Sequence, residues 1–235
     1  MTERENQISE NYKRVVENIR EAELRRGEGE HVTLLAATKT VPAEEIVFAS
    51  EKLGLAVAGE NRVQEFNEKY DAVSPKLDYQ FIGHLQTNKA KHVVGRASLI
   101  HSVSSLKLAR ELDRLAGARD VVQDVLIEIN CAAEESKSGF LIADTPFVID
   151  EFEAFSSLRL LGIMTMGPAG AEKSLLRKYF REIYAIFIDN FPKKSHNIRE
   201  TVLSMGMSGS YELAIEEGAT MVRVGSAIFG HRNYP

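Results

Sequence analysis

The chain has 235 residues, 44% of them hydrophobic, which is enough to bury a full apolar core without staples. Its formal net charge of -5 and pI near 5.8 argue against a nucleic-acid partner or an anionic membrane surface. One cysteine, Cys131, excludes an internal disulfide framework, and no run approaches the ~20 apolar residues that span a bilayer, so a soluble cytoplasmic protein is expected.

Ile8, Tyr12, Val15, Val16, Ile19 and Ala22 recur at helical spacing among charges, which predicts an amphipathic helix up to about Arg26, stopped by Gly27 and Gly29. "HVTLLAAT" then reads as a buried strand that runs into Lys39, and Pro42 stands where a first-turn proline opens the helix "AEEIVFASEKL". The alternation repeats. "LAVAG" precedes the helical "NRVQEFNEKYDAV"; "YQFIG" precedes the helical "QTNKAKHVV"; "SLIHSV" precedes "SLKLARELDRLAG", with Ser104 as the expected N-cap. "VVQDVLIEIN" is a longer strand followed by a loop and the helix "TPFVIDEFEAF". "LRLLGIMTM" leads through "GPAG" into "EKSLLRKYFREIYAIFID", "TVLSMGM" leads into "SYELAIEEG", and "TMVRVGSAIFG" ends the pattern.

Roughly eight strand-like runs, each but the last followed by a helix-like run, are the signature of a parallel sheet. An open doubly wound sheet is the rival. The count closes a barrel and no stretch marks a linker, so the expectation is an α/β fold: one (β/α)8 TIM barrel over residues 1–235, with an extra N-terminal helix. In such a barrel the chemistry gathers where strands end and helices begin.

Lys39 closes the first strand. Partial burial there lowers an amine's pKa, and the neutral amine adds to carbonyls; the bland alternative is a solvated lysine. Ser208, Gly209 and Ser210 open a helix after the seventh strand, and Gly225 and Ser226 follow the eighth. Small residues let backbone N–H groups approach an anion, and barrel phosphate sites are often built from these two loops. Either half alone is explained by an ordinary serine cap or glycine turn. Arg223, two residues before Gly225, points inward among apolar neighbours and needs an acceptor, either a carboxylate or a ligand's ring nitrogen. A lysine, a phosphate cradle and an inward arginine together fit pyridoxal 5'-phosphate. A permanently cationic arginine at the pyridine nitrogen favours the unprotonated ring and weakens the electron sink.

The motifs "ATKTVP", "GENRVQE", "FIGHLQTNKAK", "IHSV", "INCAAEESKSGF", "LGIMTMGP" and "LSMGMSGSYELAIEEGATMVRVGSAIFG" resemble the pyridoxal phosphate homeostasis proteins. That resemblance implies an alanine-racemase-like barrel that holds pyridoxal phosphate as a Schiff base without established catalysis. It further implies a protein that buffers or delivers the cofactor and influences amino-acid balance, with apo forms of cofactor-dependent enzymes as recipients. By the same resemblance Lys39 matches the Schiff-base lysine and Asn61 the pocket wall. Met205 is expected among the cofactor-binding residues; Ser208, Gly209, Gly225 and Ser226 match the phosphate end, and Arg223 faces the pyridine nitrogen. One departure is Gly209, where the family often carries an acidic or amide residue.

Lys137 in "EESKSGF" is either a second amine near the pocket or a solvated loop lysine; Lys89, Lys91 and His92 are either a cationic rim or an exposed charged face. His84 reads as a strut beside the mouth. No H-x3-H or C-x2-C pattern supports a metal, and nothing places a base beside Cys131. A racemase is the leading enzyme alternative, but it needs a second base on the opposite face. Racemases with this barrel take that base from an added β-domain, and the sequence reaches Pro235 soon after its last strand, so none is expected. A Schiff-base aldolase would use the same phosphate loops but leaves Arg223 without a sugar partner. No oligomerisation signal is visible, and a monomer is expected.

Overall fold

The short apolar runs become strands β1 (Thr33–Ala37), β2 (Val57–Glu60), β3 (Asp78–Phe81), β4 (Leu99–Val103), β5 (Gln123–Ile129), β6 (Leu158–Thr165), β7 (Val202–Ser204) and β8 (Met221–Val224). In the computed structural model, which describes residues 1–27, 31–168, 170–191 and 201–230, they form a closed parallel barrel in chain order. Closure is direct: Leu35 of β1 lies opposite Arg223 of β8, and Ala36 opposite Val224. The barrel expected from the sequence is the observed one.

Around it run α1 (Glu3–Arg26), α2 (Ala43–Leu53), α3 (Val63–Val73), α4 (Leu106–Gly117), α5 (Thr145–Phe152), α6 (Lys173–Asn190), α7 (Tyr211–Glu216) and α8 (Ser226–Phe229). Between β3 and β4 the expected helical run is a 3-10 helix over Thr87–His92. Gln86 offers no side-chain cap there, Ala90 is the single buried anchor, and the bonds Lys89 N–H to Gln86 O and Val93 N–H to Ala90 O close three-residue turns. The cap of α4 is Ser105 rather than Ser104: its Oγ accepts from Leu108 N at 3.2 Å, as the residue directly before the first helical position must. Gly29 and Ala169 of "GPAG" lie outside the described residues.

The core has two compartments. Outside the barrel wall, Ala36, Phe81, Ile100, Ile127, Ile163 and Val222 pack against helix residues such as Ile46, Phe66, Leu112 and Phe180. Inside it, Leu35, Val57, Ile82 and Met221 form one cluster, and Leu99, Leu126, Leu161 and Met164 another. This division is the period-two alternation of strands buried on both faces.

With 6 and 4 residues, α7 and α8 are too short to wall that side of the barrel. The 24-residue α1 covers them instead, burying Ile8, Val15, Ile19 and Ala22 on the expected stripe. It is tied down by Asn11 Nδ2 donating to Ile228 O (3.0 Å) and by Arg4 donating to Phe229 O (2.9 Å). A capping box at Thr2 and Glu5 starts the helix. The extra N-terminal helix is thus the outer layer over the last two βα units.

Candidate functional site

At the C-terminal ends of the strands lies a cavity of about 450 Å3 lined by Ala37, Asn61, Ile82, Met166, Met207, Ser208, Gly209, Arg223, Gly225 and Ser226. Six of these are expected site residues: Asn61, Ser208, Gly209, Arg223, Gly225 and Ser226. Ala37, Ile82 and Met207 were not anticipated. Two expected residues stand apart from the lining. Met205 is fully buried in the cluster outside the barrel wall, its N–H donating to Met221 O at 3.1 Å. Lys39 is half-buried in the turn two residues past Ala37, the last residue of β1.

The backbone on both sides of Lys39 is anchored by a buried charge cluster. Lys69 Nζ on α3 donates to Thr38 O (3.0 Å), Glu60 Oε2 (2.7 Å) and Glu65 Oε2 (2.9 Å). Thr40 N–H donates to the same Glu65 oxygen at 2.7 Å, and Thr38 Oγ1 reaches Gly59 O at 3.1 Å and Glu60 Oε2 at 3.2 Å. The remaining Glu60 oxygen accepts from Asn61 N at 2.7 Å, so one carboxylate positions both Asn61 and the Lys39 turn. Burial alone would raise Glu65; hydrogen bonds from Lys69 and the Thr40 amide outweigh it and hold the carboxyl below its ordinary value. Thr40 carries φ of 65°, a costly conformation for a β-branched residue. The Glu65–Lys69 i,i+4 pair was the available sequence signal for this cluster.

At the other end of the cavity Ser208 stitches the last two loops together. Its Oγ accepts from Gly225 N (3.1 Å) and Ala227 N (3.4 Å). Gly225 is required by space, because a Cβ there would lie 2.8 Å from Ala37 O. A Cβ at Gly209 would meet nothing, so its side faces the open cavity. The expected helix-start contribution to an anion site is small, since α7 and α8 are too short to build much of a dipole. The loop backbone at Ser208, Gly209 and Ser226 is what faces an anion.

Arg223 is 5% exposed and lines the cavity floor. Its Nη1 donates to Ser204 Oγ at 2.6 Å and its Nη2 to Thr165 O at 2.9 Å, a hydroxyl and a carbonyl rather than a carboxylate. Burial pulls its pKa down to about 10, opposed by the charge of Glu128. Glu128 is itself pushed up by burial, against the Ser138 hydrogen bond (3.1 Å to Oε1) and the nearby His84 and Arg223. Among the described residues, Glu128 Oε2 and Asn61 Oδ1 are buried without a hydrogen-bond partner.

The other candidates do not line the cavity. Lys137 pairs with Glu134 at 2.8 Å on a loop organised by Asn130, whose Nδ2 donates to Glu134 O at 2.8 Å. Lys89, Lys91, His92 and His84 are exposed. Cys131 is buried with its thiol raised by burial, its Sγ 3.6 Å from Met166 O. Among the described residues no group of three or more His, Cys, Asp or Glu side chains is placed to hold a metal.

Comparison with known proteins gives this geometry relatives. The family profile for the alanine racemase N-terminal domain matches residues 10–233. The pyridoxal phosphate homeostasis protein of Aquifex aeolicus is 41% identical over 227 residues, 96% of this chain and 98% of that relative. Among solved structures, an unknown protein from Bifidobacterium adolescentis superposes with a TM-score of 0.87 at 33% identity, covering 97% of each chain. PipY of Synechococcus elongatus, solved with pyridoxal phosphate bound, superposes with a TM-score of 0.75 at 32% identity, covering 91% of this chain and 99% of its own.

Proposed function

The chain belongs to the pyridoxal phosphate homeostasis proteins, within the family of alanine racemase N-terminal domains, and from that premise we propose that it binds pyridoxal 5'-phosphate and buffers or delivers it to apo-enzymes in the cytoplasm. The cavity residues fit that ligand. Arg223 brings a fixed cation to the floor with no carboxylate among the described residues hydrogen-bonded to it, which suits a neutral ring nitrogen. Gly225, Ser226, Ser208 and Gly209 form a backbone-lined end without Cβ obstruction, which suits the phosphate. Asn61 walls the ring, and Lys39, on the anchored turn, would take the aldehyde carbon. Bound, the cofactor supplies a carbonyl for amines and a ring able to withdraw electrons; Arg223 holds that withdrawal down by disfavouring ring protonation. These residues therefore favour storage over broad chemistry. A single barrel domain acting as a monomer completes the reading.

The observation that carries it is the buried Arg223 at the floor of a cavity whose far end is built from the two loops that Ser208 joins. Purified protein incubated with pyridoxal phosphate is expected to become yellow, and borohydride reduction followed by peptide mapping is expected to place the label on Lys39. Loaded protein mixed with an apo-aminotransferase should then activate it. Failure to bind the cofactor, or a label confined to Lys137, would overturn the assignment.

A further inference from the structure

A row of polar side chains crosses the barrel interior beside the apolar clusters, and the proposed ligand site uses only its last member. Asp78 Oδ2 accepts from Gln80 Nε2 at 2.8 Å; Gln80 Oε1 lies 2.7 Å from His101 Nε2; His101 Nδ1 lies 3.1 Å from Ser204 Oγ; and Ser204 Oγ accepts from Arg223 Nη1 at 2.6 Å. The four inner members sit on β3, β4, β7 and β8, so the His101–Ser204 step spans the barrel. Gln80, His101, Ser204 and Arg223 are 4%, 0%, 0% and 5% exposed.

Hydrogen chemistry determines the direction of every step. A carboxylate only accepts, so Asp78 turns the Gln80 amide nitrogen toward itself and its oxygen toward His101. An amide oxygen only accepts, so His101 Nε2 carries the proton. His101 is held neutral by burial and by Arg223, which leaves Nδ1 as an acceptor. Ser204 therefore donates to Nδ1 and offers its lone pair to the guanidinium, which can only donate. The row has one consistent arrangement from Asp78 to Arg223. Leucines in these places would fill the barrel without the desolvation cost of buried polar groups, so packing alone does not explain it.

Resting on the pyridoxal phosphate reading above, we propose that His101 and Ser204 are positioning residues. Through one arm of the guanidinium they fix Arg223 as an immobile cationic donor toward the cavity, and thereby set the protonation of the bound ring nitrogen without touching the ligand. The charged or titratable groups that face Arg223 are Glu128 on β5 and His101 on β4.

The test compares wild type, Ser204→Ala, Ser204→Cys and Ser204→Thr by three measurements: pyridoxal phosphate affinity, the pH midpoint of the bound cofactor's visible absorbance, and melting of the ligand-free protein. Loss of a hydrogen bond to a charged group is expected to weaken affinity about tenfold in Ser204→Ala. It should also raise the absorbance midpoint, because a looser cation opposes ring protonation less. Ser204→Cys keeps the volume with a poor acceptor and should behave alike, and it decides the matter if the alanine variant does not fold. Ser204→Thr keeps the hydroxyl and should restore both values. The midpoint displacement should persist in a Glu128→Gln background, which removes the other titrating group. Lower melting with affinity within twofold and an unmoved midpoint would make the row purely structural and overturn the proposal. A wild type that does not bind pyridoxal phosphate would instead sink the functional reading on which it rests.

Discussion

Replacing Lys69 with methionine should damage the protein far more than a surface ion-pair loss would. Lys69 Nζ makes three hydrogen bonds of 2.7–3.0 Å, two of them to carboxylates, and its side chain is only 12% exposed. Glu60, its nearest partner, has a side-chain exposure of 0%. Solvent screening therefore gives little relief, unlike the exposed pairs whose loss is often near neutral. Without the ammonium, Glu60 keeps Thr38 Oγ1 and the Asn61 amide as its donors among the described residues, with Glu65 left as a second negative charge close by. Breaking one side of a buried pair costs about 3–5 kcal/mol. For a chain of this size each kcal/mol moves the midpoint by about 2–4 °C, so a fall of roughly 6–20 °C is expected. Thermal melting at neutral pH, followed by circular dichroism, reads it directly. The double variant Glu60→Gln/Lys69→Met removes the uncompensated charge and should recover a large part of the loss. A single variant melting within about 2 °C of wild type would refute the argument, because the turn carrying Lys39 would then owe nothing to this cluster.

Three further outcomes are expected. In Gly83→Ala the new Cβ would collide with the Asn61 carbonyl oxygen and lie 2.6 Å from its Cα; the β2–α3 loop must shift, at a cost of about 1–3 kcal/mol, and cofactor affinity should fall together with melting temperature. Glu128 has a raised folded pKa, so the folded state binds the extra proton and stability is lost as pH climbs through the folded value; Glu128→Gln should gain stability relative to wild type between acidic and neutral pH, read as a melting difference that grows with pH. Loaded protein in deuterated water should leave alanine's α-hydrogen unexchanged, since Arg223 opposes the ring protonation that carbanion chemistry uses; exchange abolished by Lys39→Ala would favour a racemase instead.

The barrel was legible because each of its elements announces itself locally. The helix Ala43–Leu53 coincides with the run after Pro42, and the stripe on α1 reappears as its buried face. The phosphate-side loops were legible too, since small residues at Ser208, Gly209, Gly225 and Ser226 stand out between apolar strands and all four line the cavity. Ser104 and Ser105 were not separable, because capping depends on which residue first leaves the strand, and either serine supplies the same chemistry. The Lys69 cluster was hidden for a different reason: its members come from β2, α3 and the β1 turn, and only the Glu65–Lys69 spacing is local.

What the strands conceal is which face each residue takes. In an open antiparallel sheet, polar residues mark the wet side, but these strands are covered on both faces: all five residues of β4 and all seven of β5 are buried. Alternation is then invisible in composition. Irregular register between Ile100 and Val103, and again between Val125 and Leu126, adds a further reason why parity cannot be counted along the chain. Met205 and Ser204 show the consequence: adjacent in one motif, the methionine packs outside the wall while the serine holds Arg223 from within. The same ambiguity concealed Ala37 and Ile82, ordinary apolar residues whose inward parity alone makes them cavity wall. Polar residues inside such strands are therefore the informative ones. Gln80, His101 and Ser204 sit where an apolar side chain would cost less, and only the barrel's closure, bringing β4 across from β7, reveals that they belong to one hydrogen-bonded line.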